Sequence, residues 1–246
     1  AIVGLVPHEG QISIAGQMVG TMTAAMRRRL STAAQIVFQD PMSSLDPRMT
    51  VGDQIAEPLL IHGDEDIESR RARASDLMHK VGLTAAQLDN YPHEFSGGQR
   101  QRICIARALA LTPKLLVADE SVAALDVSVQ ARVLALLQSL KDEFGIAMLF
   151  ISHDMAVVEN ISDRVGVMYR GQIVEMGSRA QVFGNPQHAY TRRLMDAVPV
   201  PDPTRQRSTT ARPTDEIISP VYRKGTVLIR NKLIEVTPGH MVAAER

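Results

Sequence analysis

Two adjacent carboxylates, Asp119 and Glu120, close the apolar run KLLVADE at residues 114–120. An apolar run that feeds straight into acids reads as a strand buried on both faces, with the acids at its carboxyl end. Such a pair can divide its labour. The first carboxylate holds Mg²⁺ directly or through water, and the second orients and deprotonates an attacking water; two acids capping the next turn are the plainer alternative. His153 follows 33 residues after Glu120, near the end of IAMLFISHD (146–154), between Ser152 and Asp154. An imidazole there can bond a terminal phosphate or the attacking water, or serve the structure alone. Gln39 stands near the end of AAQIVFQD (33–40) with a neutral amide. It can reach a metal-bound water and a mobile neighbour, or remain an exposed turn residue. In EFSGGQRQRICIARAL (94–109), Gly97 and Gly98 remove side chains where a backbone must approach something, and Ser96 can cap the helix that follows. A helix start of this kind seats a phosphate, although Ser-Gly-Gly is also an ordinary turn before a capped helix.

These residues need a scaffold that brings strand ends together. VSVQARVLALLQSLKDEFG (127–145) reads as a helix closed by Gly145, and the apolar IAMLFISHD reads as a second buried strand. Strand, helix, strand in that order predicts a parallel βαβ unit with ligands at the carboxyl ends. Upstream, QISIAGQ (11–17) predicts a strand ending in a turn, and AAQIVFQD a second strand. Arg27–Arg29 predict a solvated face near a helix end. Residues 50–88 predict a helical insert whose second helix carries Ile67, Leu77, Met78 and Val81 on its apolar side. RVGVMYRGQIVEMG (164–177) predicts a hairpin turning at Arg170-Gly171. Beyond it, VPVPDPTRQRSTTARPTDE (198–216) predicts an extended linker, and KGTVLIRNKLIEV (224–236) a late strand pair.

The chain has 246 residues, 45% hydrophobic and 22% charged, which suits one large domain or a domain with an appendage. Basic and acidic residues number 27 each, so no global field points to nucleic acid or an anionic membrane. Cys104 is the only cysteine, which excludes an intrachain disulfide framework and a Cys-ligated cluster and fits a reducing cytosol. No apolar run approaches a membrane span, and AIVGLVPHEG lacks a basic leader. The chain opens at Ala1 inside an apolar run with no cap before it, which reads as the tail of a helix and predicts a fragment.

Taken together, the motifs resemble the ATP-binding cassette (ABC) ATPases. FSGGQRQR is similar to their signature loop, LLVADE to their Walker B strand, Gln39 to their Q-loop, AALD (123–126) to their D-loop and ISHD to their switch histidine. The spacings, 57 residues from Gln39 to Ser96 and 24 from Ser96 to Glu120, agree as well. The resemblance implies an α/β, P-loop NTPase-like nucleotide-binding domain, N-terminally truncated, with a helical subdomain and a C-terminal extension. Its expected divisions are a partial core at 1–49, the helical subdomain at 50–100, the rest of the core at 101–180 and the extension at 181–246. It implies ATP and Mg²⁺, with Glu120 and His153 catalytic, Asp119 and Gln39 on the metal, and Gln39, Ser96, Gly97, Gly98, Gln99 and Asp126 on nucleotide.

VFQDPMSSLDPRMTVGDQIAEPL, YPHEFSGGQRQRICIARAL and NPQHAYTRRLMDAVP resemble the oligopeptide and dipeptide importer branch, and EVTPGHMVA is similar to the ends of its glutathione importers. That implies a peripheral subunit on the cytoplasmic face of the bacterial inner membrane. Its partners would be a second ABC ATPase domain, a transmembrane permease and, indirectly, a periplasmic or lipoprotein solute-binding protein, with no nucleic acid. The chain departs from the pattern at Ser121, where most relatives have Pro, and at Ala124, where they have Ser. No G-x-x-x-x-G-K-[ST] phosphate cradle occurs in the 246 residues, which predicts weak ATP binding by this stretch alone. A silent or half-site subunit, or a soluble non-transport ABC ATPase, are the alternatives.

Overall fold

Ile12–Ile14 (β1) and Gln17–Val19 (β2) pair antiparallel. The chain reverses between them through Ala15 and Gly16, both at positive φ (50° and 77°). QISIAGQ therefore supplies one strand and starts its partner. The computed structural model describes residues 1–19, 23–63, 66–197 and 231–244, in two units, 1–154 and 155–246.

In the first unit, Thr23 caps helix α1 (Ala24–Ala33), its hydroxyl accepting from the Met26 amide at 3.2 Å. α1 buries Leu30 with Ile14, Val19 and Ala34. Arg27–Arg29 are exposed as expected, but they occupy the middle of α1. Arg28 reaches the Ile61 and His62 carbonyls at 3.3 Å, an arrangement that places a cation at a helix carboxyl end.

Strand β3 (Ala34–Val37) leads through a four-residue helix, α2 (Pro41–Ser44), to the helical insert: α3 (Val51–His62), α4 (Ile67–Lys80) and α5 (Gly97–Leu109). α4 buries Ala74, Leu77 and Met78, with Val81 just beyond its end. Ile67, expected on that apolar side, is 74% exposed. It is the first residue of α4, ahead of the stretch that packs inward. Pro58 lies inside α3 and denies a donor to the Gln54 carbonyl. The Gln54 side chain, itself buried, clamps the loop before the helix: its amide donates to the Asp46 and Met49 carbonyls at 3.0 Å and accepts from the Asp46 amide at 2.9 Å.

Strand β4 (Leu115–Asp119), helix α6 (Val127–Phe144) and strand β5 (Ala147–Ile151) form the predicted βαβ unit, with Gly145 closing α6 at φ +59°. The sheet is parallel in the order β3-β4-β5, with Val37 opposite Ala118 and Asp119 opposite Ile151. β4, in the middle, buries Leu116, Val117 and Ala118. β5 differs from its expectation as a buried strand, since Leu149 and Ile151 are 38% and 44% exposed. It is the edge of this sheet, and apolar composition alone does not separate an edge strand from a central one.

The second unit begins with α7 (Met155–Ile161), followed by β6 (Arg164–Tyr169) and β7 (Gln172–Ser178). These two strands turn at Arg170-Gly171 as predicted, both residues at positive φ. α8 (Arg179–Gly184), α9 (Ala189–Asp196), β8 (Leu233–Thr237) and β9 (His240–Ala243) complete it, in an antiparallel sheet ordered β6-β7-β9-β8. Its core gathers Val165, Val167, Val174, Val182 and Ala243. Of the stretch expected to form a late strand pair, 224–230 lie outside the described residues, and 233–237 pairs with 240–243. The expected linker, 198–216, lies outside the described residues.

Glu175 on β7 is fully buried and accepts from the Gln187 and His188 amides at 2.8 and 3.0 Å, with His240 Nε2 2.7 Å away. Burial pushes this carboxyl up, but the Thr191 hydroxyl, the two amides and His240 together bring it below its ordinary value.

Candidate functional site

The carboxyl ends of β3, β4 and β5 bring three of the expected residues together. Gln39 Nε2 donates to Glu120 Oε2 at 2.6 Å, and His153 Nδ1 lies 3.0 Å from Glu120 Oε1. Each oxygen of one carboxylate therefore has its own neighbour, contributed by residues 81 and 33 positions away in the chain. The Glu120 side chain is 29% accessible and that of His153 72%, so the cluster meets solvent.

Glu120 adopts φ +45°, a left-handed conformation costly for a side-chain-bearing residue. It is held on both sides: its amide donates to the Ile151 carbonyl at 2.9 Å, and its carbonyl accepts from the Ala123 amide at 3.0 Å. Asp119 ends β4 beside this pair. No group of three or more His, Cys, Asp or Glu side chains is gathered as a metal site among the described residues. Gln39, assigned to the metal by resemblance, has its amide nitrogen on Glu120 in this arrangement.

The signature stretch is built as a capped helix start. Ser96 Oγ accepts from the Gln99 amide at 3.4 Å, and Gln99 Oε1 accepts from the Ser96 amide at 2.9 Å, a reciprocal capping box. The two glycines differ. A Cβ on Gly98 would sit 2.5 Å from Val129 Cγ1 of α6, whereas one on Gly97 would be 4.0 Å from Leu125 Cδ2. A Cβ at residue 98 would force Val129 or α5 to shift, a packing constraint that the phosphate reading of the sequence does not contain. Asp126 precedes α6, and its side chain caps none of the helix amides.

Several supporting residues escaped the sequence reading. Arg107 donates to the Ser44 carbonyl at 2.6 Å, and Arg100 contacts the Met42 sulfur while its Nε donates to the Pro92 carbonyl at 2.7 Å. These two arginines, seven residues apart on α5, fasten the segment that follows Gln39. Their partners are main-chain carbonyls and a sulfur on other segments, so no sequence spacing marks them. Asp40 caps α2, and the Met42 amide, aided by Ser43, holds its carboxyl below the ordinary value. Cys104 faces inward from α5, where burial pushes its thiol up to about 11, so it is an unreactive core residue.

The fold is that of a P-loop NTPase-like nucleotide-binding domain, as the family match and the solved relatives named below show. The chain belongs to the ABC transporter family, whose description matches residues 1–123, and residues 174–220 match the C-terminal region of oligopeptide/dipeptide transporters. It is 52% identical over 244 residues to the glutathione import ATP-binding protein GsiA of Shigella flexneri serotype 5b, covering 99% of this chain and 39% of that protein. GsiA of Salmonella choleraesuis is 54% identical over 236 residues, covering 96% and 38%. The chain therefore spans under two fifths of the length of these curated relatives. Among solved structures, cbiO1 from Clostridium perfringens, part of the ABC transporter complex cbiONQ, superposes with TM-score 0.67 at 26% identity, covering 75% of this chain and 72% of that one. The ADP- and Pi-bound dimer of the ATP-binding cassette MJ0796, in a post-hydrolysis state, gives 0.64 at 27% identity, covering 72% and 77%.

Proposed function

We propose that this chain is the catalytic part of an ATP-hydrolysing subunit that energises import of peptides, glutathione or di- and oligopeptides, through a membrane permease. The observation that carries the reading is the Glu120 carboxylate held between Gln39 and His153 at the ends of three parallel strands. The names of the relatives supply the solute class.

In this reading Glu120 accepts the proton of the attacking water at one carboxylate oxygen, and His153 steadies that oxygen or the terminal phosphate. Gln39 must leave Glu120 Oε2 for the water to take its place. It can do so because it stands on the segment that leads into the helical insert, so movement of the insert and freeing of the base are linked. Asp119 would hold Mg²⁺, which would supply neutralisation of phosphate charge. Ser96, Gly97 and Gly98 offer a hydroxyl and amides to a terminal phosphate held across a paired domain, with Gln99 and Asp126 beside it. A Gly-rich phosphate cradle is not among these 246 residues. The β- and γ-phosphates would be held by residues beyond them or by a partner, and this stretch alone would turn over little ATP.

The partners proposed are a second ABC ATPase domain, transmembrane permease subunits and, through these, a solute-binding protein. Placement on the cytoplasmic face of the inner membrane follows from that partnership; among the described residues no helix is long and apolar enough to cross a membrane. The test is to purify the intact protein with its co-expressed permease, reconstitute both in vesicles and follow uptake of glutathione and of a dipeptide with Mg-ATP. ATP-dependent uptake of either is expected. Hydrolysis by a protein that never associates with the permease would overturn the transport role.

A further inference from the structure

One short loop beside the site combines backbone strain with unpaired buried polarity. Glu120, at its start, holds φ +45°. Ser121 is 2% exposed, and its hydroxyl has no partner among the described residues. Gln101, fully buried on α5, has neither its amide nitrogen nor its amide oxygen paired among the described residues. Buried side-chain polar atoms nearly always find partners, so an amide with both ends unpaired marks a place where something else is meant to bond.

Helical phase says where. Gln101 follows Gly97 by four residues and Gly98 by three, so all three share one face of α5. The Gly97 position looks onto Leu125 and the Gly98 position onto Val129, so that face is turned toward the segment entered through residues 121–126. The loop now closes on itself: the Ala123 amide donates to the Glu120 carbonyl at 3.0 Å, and the Leu125 amide to the Val122 carbonyl at 3.2 Å.

We propose that Gln101 is a positioning residue of the Glu120 site, because loop 121–126 has a second arrangement in which its main chain bonds the Gln101 amide instead of itself. Exchanging those bonds releases the turn that fixes the Glu120 backbone and swings its carboxylate. Motion of the signature helix is thereby passed to the base. The proposal rests on the reading of Glu120 given above.

The test uses the intact protein with Gln101→Leu, and Gln101→Met as a second apolar variant, measuring melting, Mg-ATP turnover and amide hydrogen exchange. Removing an unpaired amide is expected to raise the melting temperature by about a few degrees. With the second arrangement lost, kcat falls roughly tenfold while KM for ATP changes little, and exchange at amides 121–126 slows. Lower melting in both variants would mean that a water or another group already satisfies Gln101, and would overturn the proposal, as would higher melting with unchanged turnover and exchange. If Glu120→Gln leaves turnover unaltered, the reading of the base fails separately. Exchange then decides: slower exchange at 121–126 supports the second arrangement, and unchanged exchange refutes it.

Discussion

Glu120 illustrates how one side chain can be over-determined. Its backbone is held left-handed by bonds to Ile151 and Ala123, and its two carboxylate oxygens are taken by Gln39 and His153. Replacing His153 with Ala frees one oxygen without touching the backbone, so turnover should fall while nucleotide affinity changes less, read as a drop in kcat larger than any rise in KM. Gly98 gives a second test at this scale. Alanine there adds a Cβ 2.5 Å from Val129 Cγ1. The overpacking costs about 1–3 kcal/mol, which outweighs the roughly 0.5–1 kcal/mol gained by replacing a helical glycine. Gly98→Ala should therefore melt lower than wild type, and Val129→Ala should recover most of the loss; an undiminished melting temperature for the single variant would show that Val129 yields freely.

At the level of elements, the segment after Gln39 owes its position to side chains from other helices. Gln54 makes three bonds to residues 46 and 49, and Arg107 holds the Ser44 carbonyl. Gln54→Leu removes those three bonds and strands main-chain groups, a loss of about 2–4 kcal/mol that denaturant unfolding of the first unit would read. In the second unit, Glu175 binds β7 to the approach of α9 and to His240 on β9. Because its folded pKa lies below the ordinary value, it adds stability above the unfolded pKa, and that stability is lost as pH falls through the folded one. Acid unfolding of this unit should start in the acidic carboxylate range and lose part of its steepness in Glu175→Gln. An identical pH profile in the variant would contradict the role.

For the molecule as a whole, the sequence made the strand-end residues legible and left their supports hidden. Asp119, Glu120 and His153 stood out because each ends an apolar run, and a chain cannot place a run of that kind in a parallel sheet without putting its polar end at the rim. The Arg170-Gly171 hairpin and the Gly145 stop were legible because φ > 0 restricts which residues fit. Gln54, Arg107 and the Glu175–His240 pair were not, since their partners are main-chain groups or residues distant in sequence that only the folded chain brings near. The exposure of β5 was hidden for a related reason: Leu149 and Ile151 look alike at an edge and at a centre. Gly98 was flagged, but for phosphate, while its close neighbour is Val129.

The most direct measurement is phosphate release from Mg-ATP by the intact protein and its Glu120→Gln variant, with nucleotide binding followed in parallel. Glutamine keeps the shape of the side chain and cannot serve as the base. Retained binding with turnover reduced by about a hundredfold or more is expected for a lost general base. Near-normal turnover in Glu120→Gln would remove Glu120 from that role and, with it, the meaning given to its contacts with Gln39 and His153.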